Sequence, residues 1–146
     1  MPEEKPYLTG RTYIFRLNKG DDLLEELQEF CRDNQIKCGI IKGIGTVECV
    51  TLGFYDQKKK KYNKVKHERG FEILSLLGNI SLMEEKPMVH VHVALCDAQG
   101  TGVGGHLMGG STVFACEIYV QELVGAPKRR KADRATGIPI WADCKE

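Results

Sequence analysis

Apolar residues recur along this chain with two different periods, and together they predict one helix among several strands. Residues 11–17 (RTYIFRL) alternate polar and apolar side chains, which is the two-residue period of a strand. Residues 23–31 instead place apolar side chains at helical spacing, with glutamates on the opposite face. Asp21 or Asp22 can cap this helix with its carboxylate. We therefore expect an amphipathic helix of roughly three turns that ends near residues 33–34.

From residue 36 onward, short apolar runs separated by turn residues predict β-strands. Glycines interrupt the long run at 36–56, which predicts a bend or a bulge there. The run at 71–84 is either two strands joined by a tight turn at Gly78–Asn79 or one bent strand. About seven strands around one main helix, without βαβ alternation, predict an α+β fold with a largely antiparallel, mixed sheet. The predicted strands after the helix cover residues 36–56, 62–67, 71–84, 87–97, 111–123 and 137–141.

Composition narrows the class of protein. A chain of 146 residues with 42% hydrophobic and 28% charged residues is expected to fold as one globular domain over residues 1–146. The net charge of +1 gives no global field that would draw the chain to nucleic acid or to an anionic membrane. The first ten residues do not resemble a signal peptide, and no apolar run approaches the ~20 residues that span a bilayer. We expect a cytoplasmic protein with no membrane partner.

Three of the four histidines lie within residues 87–110. In a strand, residues two apart project from the same face about 6.6 Å apart, so His90 and His92 share a face opposite the neighbouring valines. Turn residues at 97–100 can fold the chain back and bring His106, which follows a glycine run, beside this pair. Three neutral imidazoles suit a divalent metal, with zinc first and nickel, iron or copper also acceptable. The alternative is a set of hydrogen-bonded surface histidines.

Glu117 lies in the middle of the strand predicted at 111–123, on the same face as Val113 and Tyr119. A carboxylate in that position is costly unless it is exposed or paired. Glu117 is therefore the candidate catalytic residue, as a group that orients a ligating histidine or as the proton shuttle of a metal-assisted hydrolase or lyase. A solvent-facing glutamate is the simpler alternative.

Two basic segments are candidates for contact with nucleic acid. Each can equally be a solvated surface segment that keeps a hairpin tip or a strand edge soluble. Their candidate phosphate contacts are Lys58, Lys59, Lys60, Lys61, Lys128, Arg129 and Arg130.

The histidine region has the sequence HVHVALCDAQGTGVGGHLMGGSTVFACEIYV. Together with GIIKGIGTVECVTLGFYD and RATGIPIW, it resembles the PPC domain (plants and prokaryotes conserved), in its stand-alone prokaryotic form. The resemblance covers nearly the whole chain. It implies an α+β fold assembled as a homotrimer, and it implies that His90, His92 and His106 form a metal site.

In plants the PPC domain follows an AT-hook, a short Arg-Gly-Arg-Pro arm that enters the minor groove of DNA. Residues 1–146 contain no such arm, and the basic run at 128–131 lacks the flanking glycine and proline. The resemblance therefore supports the fold and the trimer more than it supports DNA binding. Any binding to DNA is expected to be weak and insensitive to sequence.

Overall fold

A computed structural model describes residues 5–142, which form one α-helix and eight β-strands. The expected α+β class is confirmed. The strand count exceeds the sequence prediction because residues 129–132, which we expected to be a basic surface segment, form a strand. The elements are β1 (Leu8–Leu17), α1 (Leu23–Asp33), β2 (Gly39–Asp56), β3 (Lys61–His67), β4 (Phe71–Met83), β5 (Lys86–Cys96), β6 (Gly102–Val124), β7 (Arg129–Ala132) and β8 (Pro139–Trp141).

The predicted helix is confirmed, with Asp22 as its N-cap. One carboxylate oxygen of Asp22 accepts hydrogen bonds from the backbone amides of Leu24 and Glu25, at 3.0 Å and 3.1 Å. These amides belong to the first turn, where no carbonyl within the helix can reach them. Leucines and a cysteine on one face of α1 are fully buried against the sheet, and the helix ends at Asp33 as expected.

The eight strands form one sheet that closes on itself. β2 pairs with β6, β6 with β5, β5 with β4, and β4 again with β2, so these four strands form a ring of antiparallel pairs. β1 joins the ring at β6, β3 joins it at β2, and β7 joins it at β4 in the one parallel pairing among the described strands. Apolar side chains fill the inside of the ring, and α1 packs against β5 and β6.

The run at 71–84 is a single strand, β4, so the one-strand alternative is confirmed and no turn forms at Gly78–Asn79. Both residues continue the pairing with β5, where Gly78 lies opposite Val91 and Asn79 opposite His90. The glycine is required for a different reason: a Cβ on Gly78 would clash with the carbonyl oxygen of His90. Gly78 thus permits the close approach of two strands.

The bulge predicted within 36–56 is confirmed, and it lies at Gly45. The pairing of β2 with β4 shifts between Gly43 and Gly45, and Gly45 has a φ of 144°. A second shift, in the pairing of β2 with β6, places Val113 in the core while Glu117 stays exposed. The expectation that these two residues share a face is therefore wrong, because an irregularity between them breaks the alternation.

The part of the chain that the structure describes contains no helix with the length and apolar character of a membrane span. The hydrophobic core consists of buried side chains from α1 and from the inner face of the sheet.

The N-cap carboxylate also holds the helix to the sheet, which predicts a measurable loss of stability when it is removed. The second oxygen of Asp22 accepts hydrogen bonds from the amides of Gly110 and Ser111 in β6, at 2.6 Å and 3.2 Å. Asp22→Ala leaves four amides without this acceptor, so we expect the free energy of unfolding to fall by about 2 kcal/mol. Urea unfolding followed by circular dichroism measures this loss.

Asp33→Ala is the matched control, because Asp33 is exposed at the other end of α1. Its effect on the free energy of unfolding should stay within about 0.5 kcal/mol. Equal losses for the two variants would contradict the assigned role of Asp22.

Candidate metal centre

The pairing of β5 with β6 brings the three histidines of residues 87–110 together. His90 and His92 project from the outer face of β5, and His92 lies directly opposite His106 on β6. The connection between the strands is a tight turn in which the Asp97 carboxylate accepts hydrogen bonds from the amides of Gln99 and Thr101. The expected return of His106 is confirmed, although His106 lies within a strand and not in a glycine loop.

The three imidazoles offer ring nitrogens that all lie within 4.8 Å of one another. The Nε2 atoms of His90 and His92 are 3.2 Å apart. Two nitrogens bound to one tetrahedral zinc ion at ~2.0–2.1 Å would be about 3.3 Å apart. The spacing of this pair therefore fits a shared metal ion without rearrangement of β5.

The surroundings keep two of these imidazoles neutral. Burial, with the neighbouring imidazoles and the positive charge of Arg130, lowers the pKa of His90 to about 4. Burial also lowers the pKa of His106, with smaller contributions from His92 and Arg130. A neutral imidazole carries a free lone pair, which is the form that binds a metal.

One nitrogen of this cluster has no partner within the chain. Among the described residues, the buried side-chain atom without a hydrogen-bond partner is Nδ1 of His106. The ring of His106 is half-buried and packs against Tyr62, with 5.0 Å between ring centroids. A buried polar atom without a partner is costly. This orphaned nitrogen, the donor set and the Nε2 spacing together fit a metal ion.

Arg130 is a member of the site that the sequence did not indicate. Its guanidinium lies over β4, where Nε donates to the Ser81 hydroxyl at 2.8 Å and Nη2 donates to the Asn79 side-chain oxygen at 2.9 Å. Nη2 also lies 3.3 Å from Nδ1 of His90. We expected Arg130 to be a surface cation, but the parallel pairing of β7 with β4 turns it toward the histidines. No periodicity or motif in the sequence indicates this arrangement.

A cavity of about 400 Å³ opens beside the histidines. Arg130 and two of the histidines form its polar side, and most of the remaining wall is apolar. The short strand β8 supplies much of that wall from the C-terminal part of the chain. The lining residues are Tyr62, Asn79, Met88, His90, His106, Arg130, Ile138, Pro139, Ile140 and Trp141.

Glu117 does not join this site. It lies farther along β6 than His106, opposite Ile44 of β2 and Arg16 of β1, and its side chain is exposed. Within one chain, this position does not favour the prediction that Glu117 orients a ligating histidine or shuttles protons beside it. The strand that carries both residues is too extended for the two side chains to meet.

The two basic segments have different surroundings. Lys58–Lys61 are exposed at the tip of the hairpin between β2 and β3, and the Lys60 ammonium donates to the carbonyl oxygen of Arg134. In the second segment, Arg129 forms an ion pair with Glu85 at 2.7 Å, and Arg130 is held at the cavity. The candidate phosphate contacts at Arg129 and Arg130 thus have partners within the chain, whereas three of the four hairpin lysines have no such partner among the contacts above.

Known proteins share the sequence pattern and the fold of this chain. The family model described as the Plants and Prokaryotes Conserved (PCC) domain matches residues 5–124. The fold is similar to a plant- and prokaryote-conserved protein of Pyrococcus horikoshii, with a TM-score of 0.91, 37% identity and 99% of both chains covered. It is also similar to a metal-containing protein of Archaeoglobus fulgidus, with a TM-score of 0.90, 38% identity, and 96% of this chain and 99% of that one covered.

Two curated relatives are longer than this chain. A bifunctional protein GlmU of Synechococcus sp. (strain JA-3-3Ab) is 33% identical over 138 residues, which is 93% of this chain and 21% of that protein. The AT-hook motif nuclear-localized protein 24 of Arabidopsis thaliana is 31% identical over 100 residues, which is 68% of this chain and 31% of that protein. The chain therefore spans about a fifth to a third of the length of these relatives.

Proposed function

The chain belongs to the Plants and Prokaryotes Conserved domain family, and we propose that it holds one divalent metal ion, zinc first, through His90, His92 and His106. The observation that carries this proposal is the approach of three ring nitrogens to within 4.8 Å of one another. The orphaned Nδ1 of His106 and the lowered pKa of His90 support it. The name of the similar protein from Archaeoglobus fulgidus, which is metal-containing, supports it as well.

Three histidine ligands would leave further coordination positions open, as in catalytic zinc sites. A bound ion would supply a Lewis acid at the edge of the cavity. The chain's own contribution is to hold the imidazoles of His90 and His106 neutral on two paired strands and to keep the wall beside them mostly apolar.

Removal of one histidine should remove the metal without unfolding the protein. His92 is exposed on the outer face of β5, so His92→Ala creates no cavity in the core. We expect elemental analysis to find close to one metal ion per wild-type chain and less than about a tenth of that in His92→Ala, because two imidazoles bind a divalent ion far more weakly than three. Circular dichroism should show unchanged secondary structure.

His67→Ala is the matched control. The His67 ring packs against Phe71, with 5.5 Å between ring centroids, and His67 is not part of the histidine cluster. Its metal content should equal that of the wild type. Wild-type protein that carries no metal after preparation without chelators would refute the proposed centre.

We also propose that the chain assembles as a homotrimer. The resemblance supplies the number three, and the structure supplies a candidate contact surface on the outer face of the sheet. This surface, here called the outer patch, consists of four apolar side chains that line one shallow depression and are 39% to 60% exposed. Contiguous apolar surface of this kind often marks a protein–protein interface. The residues of the outer patch are Ile44, Leu74, Leu77 and Tyr119.

A charge within the outer patch should break the assembly. Leu74 is 60% exposed, so Leu74→Lys is tolerated by the single chain but places an unpaired ammonium inside the interface. Sedimentation equilibrium at micromolar concentration should give about three times the 16.4 kDa chain mass for the wild type and a shift toward a single chain for the variant.

Val65→Lys controls for this change, because Val65 is 52% exposed on β3, outside the outer patch. It should keep the wild-type mass. A wild-type protein that sediments at 16.4 kDa would contradict the trimer.

Weak association with DNA is a second candidate function. The observation that favours it is the group of four exposed lysines at residues 58–61, and the AT-hook name of the relative from Arabidopsis thaliana points the same way. Lysine ammonium groups contact DNA phosphates, which carry no sequence information, so the sequence of the DNA should matter little.

Charge reversal at the hairpin tip tests this candidate. We expect the double variant Lys58→Glu, Lys59→Glu to lower both the affinity for duplex DNA and its salt dependence, since the slope falls by about 0.9 for each phosphate that the protein no longer neutralises. Fluorescence anisotropy at several salt concentrations measures both quantities.

The double variant Lys5→Glu, Lys37→Glu reverses two exposed charges away from the hairpin and should have the smaller effect. A preference of ~1,000-fold for one duplex over its scrambled sequence would contradict the non-specific mode.

A further inference from the structure

The cavity beside the histidines combines positive charge with a lack of carboxylates. None of the ten lining residues is an aspartate or a glutamate, and the Arg130 guanidinium lies 3.3 Å from His90. An imidazole side chain is neutral or positive, so the histidines bring no negative charge. A divalent ion on these imidazoles would therefore lie beside a fixed cation, with no negative group on the cavity wall to balance either charge. A nearby anion would stabilise two half-buried charges of like sign.

Arg130 is positioned as a rigid anion-binding group. Contacts with the Ser81 hydroxyl, the Asn79 side chain and the Pro139 carbonyl oxygen use one N–H on each of its three nitrogens. A guanidinium has five N–H groups, so these three oxygens leave one N–H on Nη1 and one on Nη2. Because Nη2 also lies 3.3 Å from Nδ1 of His90, the N–H on Nη1 is the one available to a ligand. Ser81 is fully buried, which anchors the head group to β4. A guanidinium held in this way loses little side-chain freedom when it binds a carboxylate.

The remaining cavity walls favour an anion with an apolar organic group over an inorganic anion. Tyr62, Ile138, Ile140 and Trp141 line the cavity with mostly apolar side chains. Ile140 is 40% exposed and Trp141 is 45% exposed, so both still have apolar surface to bury. The cavity volume of about 400 Å³ lies at the small end of the ~300–1,000 Å³ typical of ligand pockets.

We infer that this cavity binds a small organic carboxylate whose head group is held between Arg130 and the metal ion, and whose apolar body packs on Trp141. The inference rests on the proposed metal centre. The carboxylate supplies the negative charge that the cavity wall lacks. The aromatic and aliphatic side chains of the wall favour a carboxylate that carries an apolar group.

Four probes on the zinc-loaded wild-type protein test the inference without any mutation. Benzoate carries both a carboxylate and an apolar ring, benzamide is its neutral isostere, acetate lacks the ring, and phosphate is an inorganic anion. We expect isothermal titration calorimetry to give benzoate an affinity at least about tenfold above that of benzamide, since a charge-assisted hydrogen bond contributes that much or more. Benzoate should also bind more tightly than acetate, and phosphate no more tightly than acetate.

Two neighbouring arginines provide the matched variants. Arg130→Gln should weaken benzoate binding about tenfold or more, because it removes the cation and its available N–H group. Arg129→Gln should leave benzoate affinity unchanged, since Arg129 pairs with Glu85 and does not line the cavity. Zinc content should be retained in both variants. Loss of a nearby cation does not weaken the binding of a dication.

Trp141→Ala provides an independent readout if Arg130→Gln fails to fold. Trp141 is exposed at the end of the described chain, so its loss should lower benzoate affinity and leave acetate affinity unchanged. Equal affinities for benzoate and benzamide, tighter binding of phosphate than of benzoate, or equal effects of the two arginine variants would overturn the inference. If zinc binds but benzoate does not, only this inference fails. If zinc itself does not bind, the metal centre and the inference fail together.

Discussion

The antiparallel pairing of β5 with β6 is the constraint on which the rest of the site depends. This pairing puts His92 opposite His106, and the two-residue period of β5 then puts His90 beside both. The turn between the strands is short and held by the Asp97 carboxylate, so the register has little freedom to slip. A shift by one residue would send the histidines of one strand into the core and the valines outward. The apolar inner face of β5 therefore fixes the arrangement of the polar outer face.

Closure of the sheet determines where β7 packs beside the histidine cluster. Because β4 pairs with β5 along one edge and with β2 along the other, a further strand can join β4 only where β4 extends past its pairing with β2. β7 takes that position, and it carries Arg130 over Asn79 and Ser81 to the side of His90. A cation, neutral imidazoles and an apolar wall thus meet in one cavity. The lowered pKa of His90 follows from the same crowding, because burial and nearby positive charge both disfavour a protonated ring.

The outer face of the ring carries two neighbouring surfaces with different chemistry. The outer patch lies on β2, β4 and β6, and within it Leu77 pairs directly with His92 of the histidine cluster. Self-association through the outer patch would therefore bring a second copy close to the proposed metal centre. Gly78 lies between the two surfaces. Because it has no side chain, β4 can approach the backbone of His90 closely there.

The sequence by itself determined the features that depend on neighbouring residues. Alternation predicted most strands and the shared face of His90 and His92, and the Asp22 cap and apolar spacing predicted α1, because caps and side-chain periods act over a few residues. Only the tertiary structure decided that Gly78–Asn79 continues a strand, that Glu117 lies away from the histidines and that Arg130 lies among them. These outcomes depend on bulges and on pairings between strands far apart in the chain. Such pairings are chosen by burial of the whole inner face and by backbone hydrogen bonding, which leave no local pattern to read.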